Sequence, residues 1–123
     1  MVLFVCNDLM FVSRVQQTAR SAGVTLVTRP SIAAALSWLE TEGNQLGGVV
    51  VDLKGVADTA TLKQLTSALQ SEGEAISGSL LAFGPHVKTE LLQAASDAGF
   101  QNVWTQGQFD RGMQGWFSQL NQR

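Results

Sequence analysis

Three polar side chains stand where apolar runs end, and their placement is what could do chemistry in this chain. Asn7 and Asp8 follow the run Val2-Leu3-Phe4-Val5-Cys6, and Asp52 closes Val49-Val50-Val51. If the two runs are neighbouring strands, two carboxylates arrive at one edge and repel unless a cation or a proton relieves them. A hard divalent ion such as Mg²⁺ suits such oxygens, with water completing its shell. The alternative is that both acids are ordinary caps, since Asp is common where strands and turns meet.

Other reactive groups are few. One cysteine, Cys6, excludes an internal disulfide and a multi-cysteine metal site, and it fits a reducing compartment. Lying within an apolar run, it reads as an inert core thiol. One histidine, His86, excludes His-rich zinc sites. In Gly84-Pro85-His86-Val87 it reads as a loop residue bonded to backbone, with phosphoryl contact or pH sensing as the sharper option. No nucleophile–base arrangement suggests a hydrolase, and the chain is read as non-enzymatic.

The elements that must position these groups follow from the hydrophobic pattern. The chain has 123 residues, 45% hydrophobic and 15% charged, which suits one domain over 1–123 with a real core. Eight Lys+Arg against ten Asp+Glu give a net charge of −2 without long runs of either sign, which argues against nucleic acid and anionic membranes as partners. No apolar run approaches the roughly 20 residues of a membrane span. The N-terminus lacks the basic segment of a signal peptide, so a cytoplasmic location is expected.

Val2–Cys6 reads as a strand covered on both faces. Val12, Val15, Ala19 and Ala22 make a helical stripe, with Gly23 placed as a left-handed cap. Val24–Thr28 is a second strand, stopped by Pro30, and Ser31 caps a helix through Ile32, Ala35, Leu36 and Leu39. Gly43–Gly48 reads as a loop and Val49–Leu53 as the strongest buried strand. Asp58 or Thr59 caps the next helix, through Leu62, Leu65 and Leu69. Leu80–Phe83 is a fourth strand, followed by a helix over Lys88–Ala98 closed by Gly99. Phe100–Thr105 is a weaker fifth strand. Phe109, Met113, Trp116, Phe117 and Leu120 stripe the last helix, which Gly112 and Gly115 weaken by roughly 1 kcal/mol each relative to Ala. Five β-α units imply an α/β fold, a parallel sheet with helices on both faces and its functional residues at the carboxyl ends of the strands.

Here the pattern resembles response-regulator receiver domains. Leu3-Phe4-Val5-Cys6-Asn7-Asp8 is similar to their first strand and acidic pair, and Val49-Val50-Val51-Asp52-Leu53 to the strand carrying the phosphoacceptor aspartate. The resemblance spans essentially the whole chain and implies a flavodoxin/CheY-like doubly wound (βα)5 fold with strand order 2-1-3-4-5. It implies Asp52 as phosphoacceptor-like, with Asp8, Asp52 and the Lys54 carbonyl as ligands of a weakly held Mg²⁺. No organic cofactor is implied.

Other positions depart from the family. Asn7 replaces the first acid of the pair. The Ser/Thr expected at the end of strand four falls on Phe83 or Gly84, and the Lys-Pro pair ending strand five on Gln106 and Gly107. The aromatic switch position falls on Val103. Gln donates a hydrogen bond but cannot neutralise a transferring phosphoryl group, so the resemblance is to a degenerate receiver, or pseudo-receiver.

Such a domain is expected to act through a protein partner or a second copy of itself, with a sensor kinase as the input of a working phosphoacceptor. No output domain is expected after the last helix. Leu9-Met10-Phe11 could form an apolar patch at the edge or fold inward. Trp38 lies off its helix's apolar stripe and Trp104 near the strand-five edge, and both are interface candidates. A nucleotide- or flavin-binding role ranks third, because Asn7-Asp8-Leu9-Met10-Phe11 offers an anion neither glycine nor hydroxyl.

Overall fold

The computed structural model describes residues 1–42, 46–71 and 79–121. Five parallel strands lie in the order β2-β1-β3-β4-β5. They are β1 (Val2–Val5), β2 (Leu26–Arg29), β3 (Gly48–Asp52), β4 (Leu80–Gly84) and β5 (Asn102–Thr105). The helices between and after them are α1 (Leu9–Ser21), α2 (Ile32–Glu42), α3 (Ala60–Ser71), α4 (Thr89–Ala98) and α5 (Gln106–Asn121).

Successive strand residues feed opposite faces, so each strand serves two cores. Leu3, Val5, Val49, Val51 and Ala82 pack with Ile32, Ala35 and Leu39 of α2, Leu62, Leu65 and Leu69 of α3 and Ala95 of α4. Val2, Phe4, Val50, Leu81 and Phe83 pack with Val12 and Val15 of α1 and Phe109, Met113, Trp116 and Phe117 of α5. Burial on both sides is why the strands read as continuous apolar runs rather than alternating ones. Trp116 is core, as its stripe requires.

The expected caps form. Gly23 and Gly99 adopt positive φ, 78° and 109°, at the ends of α1 and α4. Ser31 Oγ accepts from the Ala34 amide at 3.1 Å, and Asp58 Oδ1 from the Ala60 amide at 3.0 Å. Boundaries move by a residue or two. β2 runs to Arg29, because its register on β1 continues to Val5↔Arg29. β3 starts at Gly48, where the Trp116 ring and the Leu120 side chain approach within 3.1–3.2 Å of where a Cβ would stand. Leu53 leaves the strand to begin a short 3₁₀ turn, Leu53–Gly55. Of the loop read over Gly43–Gly48, residues 43–45 lie outside the described residues.

Candidate functional site

The register of the sheet builds the site. β1 pairs with β3 as far as Val5↔Val51, so the next residue on each strand, Cys6 and Asp52, are neighbours. The Cys6 thiol donates to Asp52 Oδ2 at 3.3 Å. The other oxygen, Oδ1, accepts the Lys54 amide at 3.0 Å and so caps the 3₁₀ turn. Asp52 is 4% exposed. Burial, first of all, pushes the Cys6 thiol up to about 11, and the Asp52 carboxylate beside it acts in the same direction.

Asp8 is the N-cap of α1. Its Oδ1 accepts the Phe11 amide at 3.2 Å, and its Oδ2 lies 3.5 Å from the Lys54 ammonium. The Phe11 hydrogen bond, with Lys54 as a further contributor, holds this carboxyl below its ordinary value. Both acids therefore act as caps while standing at one edge. Asn7 is exposed, and its amide lies 3.5 Å from where a Cβ on Gly55 would stand.

The other positions close the edge off. Register pairs Asp52 with Phe83 and Gly84 with Thr105. Phe83 is fully buried on the α1/α5 face, its ring stacked on Phe109 at 4.1 Å between centroids. Gly84 ends β4 against Leu53, whose Cβ stands 3.1 Å from where a residue-84 Cβ would be. A side chain with a hydroxyl therefore meets Leu53 on the way in. At the end of β5 the chain enters α5 without a loop. Thr105 and Gln108 form a reciprocal capping box, with Gln108 Oε1 accepting the Thr105 amide at 2.8 Å and Thr105 Oγ1 accepting the Gln108 amide at 3.2 Å. Gln106 and Gly107, both half-buried, thus form the first turn of α5.

The open side of the edge faces the other way. A cavity of about 250 Å³ is lined by Cys6, Asn7, Ile32, Asp52, Val56 and Asp58 among others, between the start of α2 and the β3–α3 connection. His86 is exposed on the β4–α4 connection.

Whether these residues fit a divalent ion can be read from the oxygens. Each of the four carboxylate oxygens of Asp8 and Asp52 already faces a donor of the chain, one of them an ammonium. Among the described residues no group of three or more His, Cys, Asp or Glu stands close enough to hold a metal. A hard cation gathers several oxygens, so Mg²⁺ at this donor set, as arranged, competes with the Lys54 ammonium for Asp8 Oδ2.

The candidate interface residues divide. Leu9 and Met10 are 81% and 87% exposed in the first turn of α1. Phe11 turns inward, its ring 5.7 Å from Phe83 and 6.0 Å from Phe109. Trp38 is half-buried against the α2–α4 side of the sheet with the Arg29 guanidinium 5.7 Å over its ring. Trp104 is half-buried beneath Gly112 of α5.

Sequence reasoning missed Lys54 as an ammonium and Cys6 as a partner of Asp52. The first depends on where a side chain swings after a turn. The second was available in principle, since equal strand phases bring the residues after Val5 and Val51 together.

No family model matches the chain, and no curated protein matches it in sequence. Solved structures do match. The receiver domain of a Francisella response regulator, 1452, aligns with TM-score 0.74 and 17% identity over 99% of this chain and 96% of that one. A response-regulator receiver domain protein from Clostridium thermocellum gives 0.77 and 11% over 99% and 94%. The receiver domain of an HD domain-containing protein from Pseudomonas fluorescens Pf-5 gives 0.77 and 14% over 98% and 93%. Strand order, helix placement and these likenesses agree that the chain has the fold of response-regulator receiver domains.

Proposed function

We propose that this chain is a receiver-like signalling domain that acts mainly through protein–protein contacts, with phosphoryl transfer to Asp52 impaired. The observation that carries the reading is the state of Asp52. The residue is buried, both its oxygens are held by the chain, and the end of β4 (Phe83, Gly84) supplies no hydroxyl while the end of β5 (Gln106, Gly107) supplies no ammonium. Charge stabilisation is the main protein contribution to phosphoryl transfer, so this edge supports it poorly. Cytoplasmic signalling fits a chain in which no described helix is long and apolar enough to cross a membrane.

The partner is a protein or a second copy of the chain. Leu9 and Met10, exposed at the same edge, are the contact residues we favour. The alternative is a working phosphoacceptor served by a sensor kinase, and the meeting of Asp8 and Asp52 at one edge favours it.

Beryllofluoride with Mg²⁺, followed by tryptophan fluorescence and backbone amide shifts, separates the two readings, with Asp52→Asn as control. No response beyond that of Asp52→Asn is expected. A saturable response confined to the wild type overturns the reading. Light scattering of Leu9→Ser/Met10→Ser across a concentration series tests self-association.

A further inference from the structure

We propose that Lys54 is a built-in counter-ion for the Asp8–Asp52 edge, occupying electrostatically the role a divalent cation would otherwise fill. The 3₁₀ turn that follows β3 is what puts it there. Asp52 Oδ1 caps that turn through the Lys54 amide, and the same residue's ammonium reaches across to Asp8 Oδ2 at 3.5 Å. One residue therefore satisfies an oxygen on each acid, one through its backbone and one through its side chain.

The charge count supports this. Asp8, Asp52 and Lys54 leave the edge at −1, and Asn7 adds nothing where a second acid of the pair would add another negative charge. Stability is a poor explanation for the contact. Both partners are substantially exposed, with 54% and 39% of their side-chain surfaces open to solvent, and such pairs contribute little to folding. What a unit positive charge 3.5 Å from the Asp8 carboxylate does change is the local potential, and it opposes any second cation. The edge thus carries its own partial counter-ion, and a second cation must compete with it.

Lys54 rests on the receiver-like reading of the edge only for the comparison with a cation site. Its test reads cation binding directly, whereas the reading of function is tested by beryllofluoride and by partner contacts.

The experiment titrates Mg²⁺ and, separately, Mn²⁺ into the wild type, Lys54→Gln and Lys54→Arg. Amide shifts, or paramagnetic broadening for Mn²⁺, are followed at Asp8, Asp52 and Lys54. Lys54→Gln is expected to saturate at roughly tenfold lower cation concentration than the wild type, with Lys54→Arg resembling the wild type. Asn7→Asp placed on Lys54→Gln is expected to tighten binding further. Midpoints of wild type and Lys54→Gln within about twofold of each other would falsify the proposal, as would absence of binding in both. Lys54→Met repeats the comparison should Lys54→Gln fold poorly.

Discussion

The indole of Trp104 lies against Gly112, with Cζ3 only 3.0 Å from where a Cβ on that glycine would stand. β5 and α5 approach closely there because the helix has no side chain at that point. Gly115, one turn on, has nothing within 4 Å of its would-be Cβ. Helix propensity alone predicts that Gly→Ala stabilises both positions by roughly 1 kcal/mol. The structure separates them. Gly115→Ala is expected to raise stability by about that amount, whereas Gly112→Ala is expected to lower it by about 1–3 kcal/mol through overpacking. Urea unfolding of the two variants checks the opposite signs.

Restoring a hydroxyl at the end of β4 runs into Leu53. Gly84→Thr is expected to destabilise the domain by about 1–3 kcal/mol, because Leu53 is fully buried and its Cβ stands in the way. If the Leu53 Cβ is the obstacle, adding Leu53→Gly, which removes that atom, costs less on the Gly84→Thr background than on the wild type. A double-mutant cycle measures that coupling, and additive effects would show that Leu53 is not what closes the position.

Cys6 gives the fold an alkaline limit. Its thiol, ordinarily at 9.0, is pushed up to about 11 by burial and by Asp52. Between these values the unfolded chain releases a proton that the folded chain keeps. The contribution is therefore complete below pH 9 and is lost as pH rises towards 11, at up to about 1.4 kcal/mol per pH unit. Cys6→Ala is expected to flatten this part of the stability profile, read from urea midpoints at stepped pH. Thiol reagents at neutral pH are expected to label Cys6 only as fast as the protein opens.

Asp8 acts at the acid end, with the opposite sign. Its carboxyl is held below the ordinary 3.8, chiefly by the Phe11 amide, so its contribution is present above that value and is lost as pH falls through the folded one. Asp8→Asn is expected to keep the cap while losing the acid-side slope, and Asp8→Ala to lose both. Thermal midpoints between pH 2 and 5 distinguish the three proteins.

Much of this was legible in the residues. Unbroken apolar runs such as Val49-Val50-Val51 reveal strands buried on both faces, and the β-α alternation then leaves few topologies. That Asp8 and Asp52 meet at one edge follows from the same reasoning, as does the absence of a hydroxyl at the end of β4 and of an ammonium at the end of β5. What the pattern could not convey is side-chain direction. Phe11 turns in while Met10 beside it stays out, and that depends on the angle at which α1 meets the sheet. Lys54 entered only through its backbone carbonyl, because its place in the chain says nothing about its ammonium. Thr105 and Gln108 were readable, since Thr-x-x-Gln before an apolar stripe is a capping-box signature. Gly112 looked like a defect of α5 until Trp104 explained it.

The direct passage from Thr105 into α5 has a consequence for how the last helix is aimed. A loop between strand and helix would absorb an inserted or deleted residue, but here strand end and helix cap are the same residue. One extra residue after Gln108 would turn everything beyond it by about 100° about the helix axis. Phe109, Met113, Trp116 and Phe117 would then swing off the sheet together. The junction works as a phase lock between a period of two and a period of 3.6. Drift in length at this point is a change of rotational setting for the whole helix.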